Sequence, residues 1–258
     1  MRVIGLQYDI VWENKAANFQ KVRHLLGEAA LGPDTLVVLP EMFATGFSMQ
    51  VAQIAEPAGG PTEQFLAQLA REYQCTVVGG KVSPGNPPLG RNEAVIFDPQ
   101  GQLAGRYAKQ RTFNPGDEGK YYESGSQTVL MLTGSWRWSP FICYDLRFPE
   151  LFRRAAKEGA ELFVIIANWP LERIEHWQIL LRARAIENQA YVVGVNRCGR
   201  SPKLVYGGQS LVISPRGEVL AQAGDGEAVL AADIERESLL EYRRDFPVLA
   251  DLLISPPG

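Results

Sequence analysis

The chain contains six consecutive apolar residues at Leu162-Phe163-Val164-Ile165-Ile166-Ala167. A shorter run of the same kind stands at Leu36-Val37-Val38-Leu39. Both runs have the length of a strand, and neither alternates with polar residues. Unbroken apolar strands of this kind are buried on both faces of a sheet. The sequence therefore predicts one central, doubly covered strand in each half of the chain.

The elements around these two runs follow the same order in each half, namely strand, helix, strand, helix, strand and hairpin. In the first half we assign them to Val3–Gln7, 15–30, Leu36–Leu39, Thr62–Tyr73, Thr76–Val78 and the hairpin of Ala94–Phe97 with Leu103–Tyr107. In the second half we assign them to Trp138–Cys143, Pro149–Lys157, Leu162–Ala167, Glu172–Gln189, Tyr191–Val195 and the hairpin of Ser210–Ile213 with Glu218–Ala221. The chain is thus predicted to consist of two related halves.

Two such halves each form a sheet covered by helices on one face. Stacking the bare faces of the two sheets would bury the central strands and give an α/β fold, a four-layer α-β-β-α sandwich. A single doubly wound sheet is the alternative, which the repeated hairpins disfavour. At 258 residues, and without a linker or low-complexity tract, we expect one domain over residues 1–258.

Composition excludes several classes of function. The formal net charge of −3 argues against a general nucleic-acid or anionic-membrane surface. No apolar run approaches the roughly 18 residues that span a bilayer, and the N-terminus is predicted to be a strand and no signal peptide. The three cysteines are widely spaced and odd in number, so we expect no disulfide framework and a cytoplasmic location. Two histidines and no Cys-x-x-Cys make a structural metal site improbable.

Cys143 ends an apolar strand, and Phe148-Pro149-Glu150 opens a helix just beyond it. This places a thiol at a sheet edge near backbone N–H groups, surroundings that lower the pKa of a thiol and expose the thiolate. The alternative is a buried structural cysteine, and the local pattern alone does not separate the two.

A nucleophilic cysteine needs a base. His24 lies within an amphipathic helix and His176 starts another, so a papain-like pair is possible only through His176. Glu41 directly follows a buried strand, between apolar neighbours, where a poorly solvated carboxylate acts as a base. Lys109 ends the first hairpin and supplies a compact cation for an oxyanion.

Three separate blocks now come together: Pro40-Glu41, Tyr107-Ala108-Lys109 and Cys143-Tyr144-Asp145-Leu146-Arg147-Phe148-Pro149-Glu150. In this order they resemble the nitrilase, or carbon–nitrogen hydrolase, superfamily over essentially the whole chain. The resemblance implies the same four-layer fold, a homodimer and no cofactor. It also implies catalytic roles for Glu41, Lys109 and Cys143, an oxyanion contact from the backbone N–H of Tyr144, and a second glutamate that hydrogen-bonds the lysine at Glu118, with Glu123 as the alternative.

Further blocks at Pro40–Phe47, Ala167–Pro170 and Ala185–Arg197 look closest to the bacterial omega-amidases that act on 2-oxo acid amides. One block departs from many relatives, because Lys109-Gln110-Arg111-Thr112-Phe113 replaces Lys-x-His-Leu-Phe. The resemblance implies hydrolysis of the terminal amide of a small carboxylic acid through a thioester. Deaminated glutathione, N-carbamoyl compounds and nitriles are alternative substrates. A redox-sensing or ligand-binding protein is the non-enzymatic alternative.

A small acid amide needs a cation for its free carboxylate and an aromatic wall. We expect the cation from Arg111, Arg173 or Lys203, and the wall from Phe43, Tyr144 and Trp169. By the two-fold relation Asn168 matches Glu41, which places Asn168 and Trp169 beside the nucleophile. Arg147 is interpreted as structural, paired with Asp145 or Glu150. A homodimer would use the segment near Cys143 and the C-terminal Tyr242–Leu253.

Overall fold

The computed structural model describes residues 1–27, 29, 31–32 and 34–252. It contains two six-stranded sheets and a small two-stranded one. The first sheet has the order β14-β1-β2-β3-β4-β5, with β1 Arg2–Gln7, β2 Thr35–Val38, β3 Thr76–Pro84, β4 Gly90–Phe97, β5 Leu103–Ala108 and β14 Ala228–Asp233. The second has the order β13-β12-β9-β8-β7-β6, with β6 Met131–Thr133, β7 Trp136–Ile142, β8 Leu162–Ala167, β9 Tyr191–Asn196, β12 Leu211–Ile213 and β13 Val219–Gln222. The small sheet pairs β10 Cys198–Arg200 with β11 Val205–Gly207.

The α-helices connect and cover these sheets. They are α1 Lys15–Gly27, α2 Val51–Ile54, α3 Pro61–Tyr73, α4 Pro149–Lys157, α5 Ile174–Asn188 and α6 Arg236–Asp245. Short 3₁₀ turns lie at Asn114–Gly116, Glu118–Lys120, Cys143–Arg147, Leu171–Arg173 and Val248–Asp251. Within the described part of the chain, no helix is both long and apolar enough to cross a membrane.

The two large sheets repeat one pairing pattern. Reading from β14 in the first sheet and from β6 in the second, the successive pairs are antiparallel, parallel, parallel, antiparallel and antiparallel. The predicted relation between the two halves is confirmed. The sequence did not predict that the edge strand beside β1 is β14, which comes from the C-terminal part of the chain.

Alternation along the strands of the first sheet separates the layers. Leu36 and Val38 of β2 belong to a core shared with the second sheet, whereas Val37 between them belongs to the core formed with α1 and α3. Side chains of α4 and α5, such as Phe152 and Leu181, join the shared core from the other side. The arrangement is the predicted α-β-β-α sandwich, and it explains why the central strands are apolar on both faces.

Element ends differ slightly from the sequence expectations. α1 begins after Asn14, whose Oδ1 accepts a hydrogen bond from the N–H of Ala17 at 3.1 Å, as the predicted cap requires. The predicted end of this helix, Ala30, lies outside the described residues, as does Leu253 in the C-terminal segment. The described part of that segment packs on its own chain, because Arg243 donates to the carbonyls of Gln189 and Ala160 and Leu249 packs against the shared core.

The fold brings several loops to one edge of the sandwich. Cys143 and Asn168 follow β7 and β8, two parallel strands of the second sheet, so they share an edge of that sheet. Glu41 comes shortly after β2 of the first sheet, and its hydrogen bonds with Asn168 join the two sheets at this edge. Lys109 follows β5 in the first sheet. This edge is where the sequence places the chemistry.

Candidate active site

Cys143 starts a 3₁₀ turn immediately after β7, with a backbone φ of 46°. A left-handed backbone is unusual for cysteine and turns the chain sharply from strand into helix. Burial is the main cause that raises the pKa of this thiol well above its ordinary value, Glu41 adds to it, and Lys109 opposes it. The expected lowering of the thiol pKa is therefore wrong: desolvation outweighs the nearby N–H groups and ammonium.

Lys109 lies between two carboxylates. Its Nζ is 3.0 Å from Oε1 of Glu41, and 2.9 and 3.1 Å from the two carboxylate oxygens of Glu118. All three side chains are buried. Burial alone would lower the pKa of Lys109, but the charges of Glu118 and Glu41 raise it well above its ordinary value. The lysine is therefore held as an ammonium at the base of the site.

Glu118 and Glu123, the two candidates for the second glutamate, contact different residues. Glu118 touches Lys109 and also accepts a hydrogen bond from the N–H of Phe113 at 2.5 Å. Glu123 instead contacts Arg91 and Asn86. Hydrogen bonds from Asn86 are the leading cause that lowers the pKa of Glu123. The geometry selects Glu118 as the lysine's partner.

Glu41 is held by donors from both sheets. Its Oε2 accepts a hydrogen bond from the N–H of Asn168 at 2.8 Å, and its main-chain carbonyl accepts one from Nδ2 of Asn168 at 2.6 Å. The carbonyl of Asn168 in turn lies 3.9 Å from Sγ of Cys143. Asn168 thus lies between the carboxylate and the thiol, and so beside the nucleophile, where the two-fold relation led us to expect it.

A cleft of about 390 Å³ opens above these groups. Its lining contains Lys109 and Cys143 together with the predicted contacts Tyr144, Asn168, Trp169 and Arg173, and with Phe47, Phe113, Arg147, Pro170 and Leu204. A larger outer cleft of about 1560 Å³ shares Phe47, Phe113, Arg173 and Leu204 with it. Lys203 lines only the outer cleft.

Two predicted contacts lie elsewhere. The ring of Phe43 is buried in the helix-side core, 6.1 Å from the ring of Phe19, because the residue points away from the shared core. Phe47, four residues later, takes its place in the cleft wall. Arg111 lies outside the cleft, since its guanidinium is 3.3 Å from Glu150 and stacks on Phe148.

Arg147 differs from its structural interpretation. Its guanidinium lines the cleft, lies 4.8 Å from the ring centroid of Trp169 and is 3.2 Å from Nδ1 of His176. Asp145, the expected partner, instead accepts hydrogen bonds from the hydroxyl of Tyr107 and from main-chain N–H groups. The spacing in the sequence suggested a pairing with Asp145 or Glu150, but Asp145 accepts from these donors and Glu150 pairs with Arg111.

Sequence reasoning also missed Asn92 of β4, whose Nδ2 donates to both Glu41 and Glu118. A polar residue at the start of a strand looks like an ordinary exposed position, so the sequence carries no signal for it. Phe113 was quoted only as part of a motif, yet its ring lies 5.1 Å from that of Tyr144 in the cleft wall. Within the described ranges, no three His, Cys, Asp or Glu side chains are grouped so as to hold a metal ion.

Comparison with known proteins agrees with this geometry. The carbon–nitrogen hydrolase family profile matches residues 2–244. The 2-oxoglutaramate amidase of Bacillus subtilis is 34% identical over 96% of this chain and 95% of its own length. The omega-amidase YafV of Yersinia enterocolitica is 37% identical over 97% and 96%. A solved CN-hydrolase superfamily protein of Xanthomonas campestris superposes with a TM-score of 0.92 at 32% identity, covering 100% of this chain and 99% of that one.

The chain therefore belongs to the carbon–nitrogen hydrolase family. It is a hydrolase that acts on carbon–nitrogen bonds of linear amides.

Proposed function

We propose that this enzyme is an omega-amidase, which hydrolyses the terminal amide of a small 2-oxo acid such as 2-oxoglutaramate to the acid and ammonia. The observation that carries the proposal is a single cleft lined by a thiol, Cys143, an ammonium, Lys109, and two guanidinium groups, Arg147 and Arg173. The names of the Bacillus and Yersinia relatives support the same substrate class.

Acylation would begin with proton transfer from the thiol of Cys143 to the carboxylate of Glu41. The sulfur attacks the amide carbon, and the carbonyl electrons move to the oxygen. Nζ of Lys109 and the main-chain N–H of Tyr144 stabilise this oxyanion. Tyr144 is suited to it because N–H groups in the first turn of a helix have no acceptor within that helix. Glu41 then protonates the nitrogen, the carbonyl re-forms as the C–N bond breaks, and ammonia departs. The acyl group stays on Cys143 as a thioester.

Deacylation would reuse the same base. Glu41 takes a proton from water, the hydroxide attacks the thioester carbon, and the same donors hold the second oxyanion. The C–S bond breaks, the proton returns to sulfur, and the acid is released. Glu118 has no step of its own in this scheme: it holds Lys109 as an ammonium and at a fixed place.

Arg147 and Arg173 would bind the carboxylate and the 2-oxo group. Arg147 lies over Trp169, and Arg173 lies 5.4 Å from the ring centroid of Phe113. Burial lowers the pKa of Arg147, and the charge of Arg173 contributes in the same direction. Two cations that repel each other in one cleft favour an anionic ligand that separates them.

A second substrate is favoured by the outer cleft. Deaminated glutathione carries the same 2-oxo acid end and a long substituent on the amide nitrogen, which the volume beyond Phe47 and Leu204 would accommodate.

Ammonia or amine release from a panel tests the assignment. We expect 2-oxoglutaramate to be hydrolysed with a much higher kcat/KM than N-carbamoyl amino acids, simple nitriles and butyramide, which lacks the carboxylate. Arg147→Ala should raise KM for 2-oxoglutaramate at least about tenfold with a smaller effect on butyramide, because only the former carries the anion. Arg111→Ala, outside the cleft, is the control. A higher kcat/KM for deaminated glutathione than for 2-oxoglutaramate would favour deaminated glutathione as the substrate. Equal KM values for 2-oxoglutaramate and butyramide would refute the contact between Arg147 and the substrate carboxylate.

We also propose a cytoplasmic homodimer, in line with the free thiols of the three cysteines. Apolar side chains on α5 support a second copy as the partner, since Ile179 is 65% and Ile186 is 48% exposed. Seven residues apart, they lie on one face of the helix.

A further inference from the structure

We propose that Asn92 is a positioning residue, whose side-chain amide joins the two glutamates and fixes the orientation of the base Glu41. This inference rests on the roles proposed above for Glu41, Lys109 and Glu118. It extends them to a residue of β4 that no catalytic motif of the chain includes.

The side-chain hydrogen bonds of Asn92 go to the two catalytic glutamates. Its Nδ2 lies 2.7 Å from Oε1 of Glu41 and 3.1 Å from Oε1 of Glu118. Its main-chain carbonyl accepts a hydrogen bond from the N–H of Lys109 at 2.9 Å. The residue is 1% exposed. One buried asparagine thus contacts both carboxylates through its side chain and the backbone of Lys109 through its carbonyl.

The orientation of the amide follows from its neighbours. Both acceptors facing it are carboxylate oxygens, so the NH₂ group, which has two hydrogens, must point toward them. Its Oδ1 is buried without a hydrogen-bond partner among the described residues. The NH₂ group is therefore the part of this side chain that is hydrogen-bonded.

The charge balance explains why a neutral donor is needed here. Two carboxylates share one ammonium, so Glu41 and Glu118 repel each other across Lys109. An amide that donates one hydrogen to each reduces this repulsion without adding a charge. A second cation in its place would stabilise the ionised carboxylate and so make Glu41 a weaker base.

The geometric consequence concerns the two oxygens of Glu41. Oε1 receives Lys109 and Asn92, and Oε2 receives both the N–H and the Nδ2 of Asn168. Four donors on two oxygens leave the carboxylate one orientation relative to the thiol. Without Asn92, Oε1 depends on Lys109 alone, and the carboxylate gains freedom to rotate toward Glu118 or away from Cys143.

Two variants test the proposal. Asn92→Asp keeps the shape and replaces the donor by an acceptor, and Asn92→Ala removes the side chain without adding charge. For both we expect kcat to fall about 10- to 100-fold per titrated Cys143 and KM to change by less than about threefold, because hydrogen bonds to charged groups contribute at this level and the cleft is untouched. Asn188→Asp is the matched control, since Asn188 is a buried asparagine with an unpaired Oδ1, in α5 and away from the cleft.

A readout independent of substrate is the rate at which iodoacetamide alkylates Cys143 as a function of pH. In Asn92→Asp the midpoint of this profile should move to higher pH, because a third carboxylate raises the thiol pKa further. If the wild-type protein hydrolysed no member of the panel, the proposed function would be refuted. The alkylation profiles of wild type and Asn92→Asp could still be compared, because they need no substrate.

The proposal is overturned if either variant keeps a kcat within about twofold of wild type per titrated thiol. It is also overturned if both variants fail to fold while Asn188→Asp folds, because Asn92 would then be a structural residue only.

Discussion

Cys143 combines a left-handed backbone with a desolvated side chain. The backbone turn presents the sulfur to the cleft, and burial keeps the thiol protonated at neutral pH by raising its pKa. A protonated thiol is a poor nucleophile, so the site needs a base at the moment of attack. We propose Glu41 as this base, since its carboxylate accepts a hydrogen bond from Asn168, whose carbonyl lies 3.9 Å from the sulfur.

Removing the ammonium tests the oxyanion role. Lys109→Ala should lower kcat at least about 100-fold, since loss of one oxyanion donor costs about 3 kcal/mol and the variant also leaves two buried carboxylates facing each other. Steady-state ammonia release measures the effect. Lys81→Ala is the control, because Lys81 is likewise buried and ion-paired, but with Glu63 outside the cleft. A near-wild-type kcat in Lys109→Ala would refute the role.

Asp145 makes stability depend on pH. Burial raises its pKa to about 6 from 3.8, although Lys109 and the hydrogen bonds from Tyr107, Ile142 and Arg111 act to lower it. A raised acid pKa means that the folded state resists ionisation. The contribution of Asp145 to the free energy of unfolding is therefore largest below the pKa of the unfolded chain, 3.8, where the carboxyl is protonated in both states. It is lost as pH rises through about 6.

Asp145→Asn cannot ionise, so its free energy of unfolding should lack this dependence. Relative to wild type, the variant should gain about 2–3 kcal/mol between pH 4 and pH 7, on top of a constant loss from its altered hydrogen bonds. Urea unfolding at several pH values measures the difference. Asp225→Asn, at an exposed position, is the control. A constant difference across this range would contradict the prediction.

At the residue scale, the sequence predicted the positions of residues that follow a strand. It did not predict the direction in which individual side chains point. Glu41, Lys109 and Cys143 were placed together because each follows a predicted strand. Phe43 and Phe47 lie in one motif, and only the tight turn after β2 decides that the ring of Phe47 faces the cleft. Arg147 was misassigned because Asp145, close to it in the sequence, accepts its hydrogen bonds from other residues, among them Tyr107.

At the scale of elements, two apolar strands and a repeated order were enough to predict the four layers. The strand β8 was predicted with its observed ends because it is buried on both faces and bounded by turn residues. The pairing of β14 with β1 was not predicted, since nothing in the residues of β14 indicates which strand lies beside it. Long-range edge pairing leaves no local pattern.

Gly80 of β3 shows how one element sets the position of another. A Cβ at this residue would lie 2.4 Å from the main-chain nitrogen of Met42 and 2.6 Å from Cα of Glu41. Main-chain atoms cannot yield at such distances, so the strand approaches the base this closely only with glycine. The N–H of Gly80 also donates to the carbonyl of Pro40 at 3.2 Å.

Gly80→Ala should therefore displace Glu41 and lower kcat by more than about tenfold, with a loss of about 1–3 kcal/mol in the free energy of unfolding. Enzyme kinetics and urea unfolding measure the two effects. Gly224→Ala is the control, since a Cβ there meets no atom within 4 Å. Wild-type kcat in Gly80→Ala would show that the loop adapts and that the close approach is not needed.

At the scale of the whole molecule, polar contacts cross between the halves beside the core. Arg197, after β9, donates to Oδ1 of Asp9, after β1, at 2.7 Å, and its guanidinium lies 4.4 Å from the ring centroid of Tyr206. Tyr206 lines the outer cleft, so this buried cation ties the cleft wall to both sheets. Asn168 and Glu41 form a second crossing at the base itself. The site is thus assembled only when both sheets are stacked.

The exposed apolar face of α5 bears on association of whole molecules. Ile179 and Ile186 lie on one helix face, and Gln189 just after the helix donates to the carbonyl of Phe246, whose side chain is 58% exposed. An apolar strip on one side of a molecule is unfavourable in water and is covered when two copies pair. A two-fold contact there would also adjoin the C-terminal segment that the sequence suggested as an interface.

We therefore expect wild-type protein to have twice the mass of one chain in solution, and Ile179→Glu to shift it toward the mass of a single chain, because the pairing would place two like charges at the contact. Size-exclusion chromatography with light scattering measures both. Leu132→Glu is the control: Leu132 of β6 is 69% exposed but lies in another part of the fold, so its charge should leave the mass unchanged. If Leu132→Glu separated the chains and Ile179→Glu did not, the interface would involve the edge strand β6, and the face of α5 would need another explanation.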